Sequence, residues 1–494
     1  MNVAVAVGVV LLIGAPAAAS AQEFLVRLDA RAQGATYRGI RKDSLPLSQV
    51  VTGPGGGLET PDGFVANCIP GRPFCYFYRA GDEHRGGPFV TGADVTAWGF
   101  GVTGLSLHAN ARLGVDLGAS DVWPGTDPAV QLLEGYAEYA SERITGRLGR
   151  QAERSRLGYY GYDGARLAYR VQSAGLTAIG YGGLGLARGV ALPVTSDALN
   201  PLDDFQPRQR QLLVGGALEW QHRLGDARFD YEREVDRDTR NFVSERVALA
   251  ANFRPLPGWS LAGGADYDLA RGWWGSSDLT LRYGHTRFGA AAGVRRYRPY
   301  FDLWTLWGVF SPVPYKAVNG SAWVSPLRGL TLRGGGERYW YLDAEAETPL
   351  VKEETEGWRW NAGATYTISV VSIDGGYQAE VGPGSSTEGF EGAVSVRAAR
   401  VLTITAEGGH LVRPLEFRID NPALTWYGLS MELRATDQLR LGVGATRFDE
   451  DRRTGDASAI DWSQTRLRAT LSWLFGSSAD RLPLPPAVGR ERRR

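Results

Sequence analysis

Hydrophobicity alternates with a period of two in short segments from one end of this chain to the other, and that pattern limits what it can become. In Thr465–Gly476, TRLRATLSWLFG, the residues Leu467, Ala469, Leu471, Trp473 and Phe475 take every second position, with Arg468, Thr470 and Ser472 between them. The stretch GWRWNAGATYTIS sets Trp358, Trp360, Ala362, Ala364 and Tyr366 against Arg359, Asn361 and Thr365. Further on, Leu429, Met431 and Leu433 alternate with Ser430, Glu432 and Arg434. A helix would repeat its apolar positions every three or four residues, so the alternation predicts strands with one apolar and one polar face.

A soluble β protein shows the same alternation. A propeller, however, carries a repeat of about 40 to 50 residues, and none is found here. Arg, Asp and Glu stand at strand centres on the polar faces, while Ala, Gly, Leu and Tyr fill the apolar faces. One wet and one apolar face on every strand is the pattern of a barrel in lipid. Glycine, 65 of 494 residues, is about twice its ordinary share, as many tight turns require. Lys plus Arg and Asp plus Glu are 54 each, so no basic excess points to nucleic acid. No linker separates two cores.

The expectation is an all-β fold, a single transmembrane antiparallel β-barrel of about 18 to 22 strands, with a best tally of 22. It covers residues 22–475, its first strand near 23–36, and 297–325 is its least certain stretch. Short turns such as PLPGWSL and ATDQLRL alternate with long polar connections such as 183–209 and 449–461. Short turns on one side, long loops on the other and an even strand count are features of outer-membrane barrels. Residues 1–21 read as a secretory signal: an apolar run from Val3 to Ile13, then Ala19-Ser20-Ala21 before Gln22. That run is too short to span a bilayer. Residues 476–494 form a Pro- and Arg-rich tail, expected to be solvated in the periplasm.

On this reading Leu467, Ala469 and Leu471 face lipid. Trp259, Trp304, Trp307, Trp358, Trp473 and Phe475 belong to interfacial aromatic girdles. The segment 298–315 fits either a girdle strand or a loop tucked into the pore. The lumen is lined by Arg112, Arg147, Arg166, Arg246, Arg282, Arg359, Arg440 and Arg468, and by Glu134, Glu138, Glu219, Asp230 and Glu432. Only three lysines occur: Lys42, Lys316 and Lys352. Two readings of the inward charges stand together. Cross-strand Arg–carboxylate pairs stiffen the wall, or opposed rows of charge orient a solute.

Cys68 and Cys75 are the only cysteines; in an exported chain such a close pair predicts a disulfide. It would staple part of the long connection 37–89. The five histidines form no metal-binding spacing, and no G-x-S-x-G elbow occurs. Two G-x-G-x-x-G matches, 99–104 and 180–185, lack the strand-to-helix setting of a dinucleotide site. No metal or other cofactor is expected.

The segment 146–171 contains Gly149, Arg150 and Gln151, then Tyr162, Asp163 and Gly164. It resembles a segment of porin-type outer-membrane barrels, including the alginate-export family. The resemblance implies a passive pore; the plainer reading is a hairpin with an Asp-Gly turn. The aromatic last strand resembles the signal read by the barrel-assembly machinery, although here a tail follows it. The expected role is a porin-like outer-membrane channel for small polar or charged solutes, with outer-membrane lipid around it. A closed structural or assembly barrel is one alternative. A lipid-modifying barrel enzyme is the other; it needs a histidine at an outer-face position, whereas alternation turns His108, beside Ser106, into the lumen.

Overall fold

A computed structural model describes residues 23–53, 56–118, 130–186, 211–237, 239–240, 242–298, 314–342, 355–382, 385–412, 423–451 and 462–477. The predicted signal, nearly all of the tail, Trp304 and Trp307 lie outside them.

Alternation becomes architecture through the ladder. Each strand of the wall pairs antiparallel with the next wall strand along the chain, and the last, Trp462–Gly476, returns to the first, Glu23–Pro46. Leu25 to Ala35 run opposite Gly476 to Arg466. The other edge of the first strand, Glu23 to Ala32, runs opposite Trp98 to Phe89. The result is a closed barrel of 22 strands. Closure matters because no water is available in hydrocarbon to satisfy a bare strand edge. Both ends of the wall lie on one side, where each connection has two to six residues.

The register keeps apolar residues on one face all round. Leu148, Leu167, Val214, Leu249, Leu279, Val318, Leu429 and Leu467 are exposed on the outside. Trp259, Trp473 and Phe475 are outward near the short-turn end, where the Trp473 and Phe475 rings lie 4.5 Å apart. Trp358 is outward near the opposite end.

The first strand runs to Pro46, well past the predicted end at Thr36. Ala35 to Pro46 pair with Phe74 to Gly86 as a two-stranded ribbon beyond the wall. The cause of the miss is physical. This part of the ribbon has no lipid face, so Arg41, Lys42, Asp43 and Ser44 show no alternation. The Cys68–Cys75 disulfide staples its far end over a small core of Leu45, Ala66 and Cys75.

Candidate functional site

Antiparallel register decides which inward charges meet. Glu138 stands opposite Arg147, and the Arg147 Nε donates to Glu138 Oε2 at 2.5 Å. Glu219 stands opposite Arg228, whose Nη1 reaches it at 2.5 Å while its Nε reaches Asp230 at 2.7 Å. Glu134 lies 3.3 Å from His108 Nε2. Glu337 receives both Arg295, at 2.6 Å, and Arg359, at 3.1 Å. Arg246 lies 3.8 Å from Glu232. Register also puts Arg112, Arg282, Glu432, Arg440 and Arg468 on the inward face.

One stretch leaves the wall. Strand Ile144–Ser155 pairs with Val130–Ala140 only as far as Arg150 opposite Gly135. Its return, Gly158–Val171, pairs with Leu176–Gly185 only back to Tyr162 opposite Gly185. Residues 151–161 are therefore ladder-paired only to each other, as a hairpin tip.

The residues at its base explain the departure. Gly149 has φ +132°, and a Cβ there would stand 2.3 Å from the Gly135 carbonyl oxygen. A Cβ on Gly164 would stand 2.1 Å from the Gly182 carbonyl oxygen. Only glycine fits both places. Arg150 then clamps Asp163 with a two-pronged contact, Nε to Oδ1 at 2.8 Å and Nη2 to Oδ2 at 2.9 Å. The Gln151 amide donates to the Gly164 carbonyl at 3.1 Å. So Tyr162, Asp163 and Gly164 form no turn: they lie within a strand, at the bend. The turn is Arg156-Leu157.

Beyond the bend the tip reaches inward across the faces of strands farther round the ring. Glu153 accepts from Arg166 on its own hairpin and from Arg228 on Gly225–Asp236, each at 3.0 Å. Arg246, on Phe242–Phe253, donates to the Tyr160 hydroxyl. Arg156 reaches Asp278 on Trp273–Gly284 at 2.6 Å and lies 3.9 Å from Asp266 on Trp259–Asp268. The six extended residues from Arg150 to Ser155 span about 20 Å. Leu157, Tyr160 and Tyr162 bury themselves against Ile179, Tyr181, Leu213, Ala217 and Ala248, an apolar cluster inside the barrel. Three such side chains contribute roughly 1.5–3 kcal/mol each, so the tip is firmly seated. A cavity of about 400 Å³ remains beside it, lined by Arg156, Tyr159, Tyr160, Arg246, Asp266, Ser276 and Arg298.

Glu153, Arg156 and Asp278 were not singled out from sequence. Arg228, which reaches Glu153, and Asp278, which meets Arg156, lie on strands distant from the hairpin along the chain, which alternation cannot identify. The only signal was the Gly-Arg-Gln and Tyr-Asp-Gly pair that makes the bend.

A second sector differs in kind. Arg31 on the first strand and Arg466 and Arg468 on the last face inward together, close enough for their charges to repel. Among the described residues no ion pair is formed by these three. Arg31 donates to Gln33 at 3.1 Å, and Arg466 to Gln464.

Comparisons with known proteins add little to this geometry. No family model matches the chain, and no curated protein matches it. The outer membrane protein OprD from Pseudomonas aeruginosa aligns with 92% of this chain and 95% of its own, at 8% identity and a TM-score of 0.40. A BenF-like porin from Pseudomonas fluorescens aligns with 92% and 99%, at 10% identity and a TM-score of 0.38. Similarity this low carries no argument; the closed wall carries it. The comparisons do not support the resemblance of 146–171 to alginate-export barrels; its Gly-Arg-Gln and Tyr-Asp-Gly residues form the bend described above, not the Asp-Gly turn of a plain hairpin.

Proposed function

We propose that the chain is a channel of a bacterial outer membrane through which small polar or charged solutes diffuse passively. One observation carries this: a closed wall, apolar outside and lined inside by Arg and carboxylates, with a seated hairpin narrowing the interior. Inside such a pore, fixed charges and hydroxyls replace part of a solute's hydration shell, which lowers the cost of entering the narrow zone. Arg31, Arg466 and Arg468 make one side of the path attractive to anions. Outward Trp259, Trp358, Trp473 and Phe475 sit at the two membrane boundaries in this reading. The aromatic end of the last strand serves as the handle for the assembly machinery.

Single-channel conductance of the refolded protein in a planar bilayer tests the proposal. Stable openings are expected. Silence from a preparation whose compact, heat-modifiable band proves the barrel intact would refute it. The rival structural reading relied on the first connection plugging the barrel. Leu47, Val51, Val65, Ile69 and Phe74 of that connection are instead exposed, which favours the channel.

A further inference from the structure

The outer face carries one local pattern that neither the wall nor the channel explains. Arg296, on Phe288–Tyr297, stands directly opposite Lys316 on Tyr315–Leu327. Both point outward. Val294 and Val318, two positions along on the same face, are exposed to the membrane side. The inward alternates are Arg295, held by Glu337, and Ala317, which is buried. Two like charges facing each other across a ladder are destabilising, more so beside lipid, where little water screens them.

No acid of the described wall resolves the conflict. Arg296 and Lys316 form no ion pair among the described residues, and the Arg296 Nε is buried without a hydrogen-bond partner. The nearest outward carboxylate in register is Glu356. It is engaged by Arg338, at 2.9 Å, and by the Trp340 indole N–H, at 2.9 Å. Trp340 stands opposite Lys316 on the next strand, and Trp358 stands opposite Arg338. Indoles of this kind mark the headgroup level of a membrane. The cations lie at the long-loop end, away from the two chain ends of the wall.

We propose that Arg296 and Lys316 form a binding site for the phosphate of an outer-leaflet lipid headgroup. A phosphate oxygen between the two cations cancels their repulsion. The guanidinium offers a fork of N–H donors, and the ammonium a point charge. The acyl chains then lie along the exposed faces of Val294, Val318 and Leu279. Arg338, shared with Glu356, is a further donor at the rim. Neither the pore nor the hairpin takes part.

The test is lipid retention by the full refolded protein in detergent micelles, read by native mass spectrometry. Phosphatidic acid, a lipid phosphomonoester, is titrated against phosphatidylcholine. The unaltered protein is expected to retain phosphatidic acid preferentially. Arg296→Gln and Lys316→Gln should each weaken that retention about fivefold, as expected for one basic group at a membrane surface. Lys316→Arg keeps the charge and should keep the preference. A second readout is the temperature at which the compact band is lost. In phosphatidylcholine alone Lys316→Gln should raise it, by relieving repulsion, and phosphatidic acid should reverse that order. Equal retention of both lipids, or undiminished retention by both Gln variants, overturns the proposal. So does millimolar inorganic phosphate that displaces the lipid, since the site would then belong to the free ion. The readout is independent of conductance, so a silent pore leaves it standing.

Discussion

Replacing Arg31, Arg466 and Arg468 together by glutamine should move the pore's ion preference toward cations. The magnitude follows from their placement on two adjacent strands without carboxylate partners among the described residues. A unit charge about 8 Å from an ion in water contributes roughly 0.5 kcal/mol. At 0.1 M salt the Debye length is about 10 Å, which leaves a little under half of that. Three charges then sum to about 0.7 kcal/mol, enriching anions about threefold and depleting cations about threefold. The anion-to-cation ratio should fall roughly tenfold in the triple variant. At 1 M salt, with a Debye length of about 3 Å, the change should shrink below about twofold. The assay is the reversal potential of single channels in a salt gradient, measured around each concentration. An unchanged ratio at low salt would refute the assignment of this sector to the ion path. A shift that persists undiminished at high salt would refute its electrostatic origin.

Three further outcomes are expected. Excising residues 151–162 and joining Arg150 to Asp163 through Asn-Gly keeps the register, because those two already face each other; conductance should rise, and an unaltered value would show that the tip does not obstruct the path. Glu153→Ala leaves Arg166 and Arg228 short of a carboxylate that is only 7% exposed, so the barrel should lose about 3 kcal/mol; a compact band melting at the original temperature would contradict this. Reducing Cys68–Cys75 should speed proteolysis within 47–73 and leave the melting of the barrel unchanged, since the stapled core of Leu45, Ala66 and Cys75 is separate from the wall; a drop in barrel melting would show that the ribbon and wall are coupled.

How much the sequence determined varies along the chain. The barrel was legible because lipid imposes its period on each strand separately. Trp358 to Tyr366 and Leu467 to Phe475 declare an outside and an inside with no knowledge of their neighbours. Turn lengths placed both ends on one side, and the tally of 22 matched the closed ring. The same logic put Glu138 and Arg147 on the inward face, where a short turn sets them opposite each other.

Alternation had no power once that constraint lapsed. The first strand continued to Pro46 with no lipid to pattern it. The hairpin tip carries Arg154 and Arg156 at positions that continue the apolar face of Leu148, so alternation lapses there without saying where the tip goes. Three tertiary facts decided that. Gly149 and Gly164 permit a close backbone approach, Arg150 and Asp163 lock the bend, and Arg156 finds its carboxylates on strands more than a hundred residues away. The conflict between Arg296 and Lys316 was equally hidden, because register between separate strands is set by the pairing of the whole ring. The sequence alone determined which face of each strand meets lipid, because that depends on one strand at a time. Which charges meet, and what narrows the interior, only the tertiary structure decided, because both depend on the order and register in which 22 strands close.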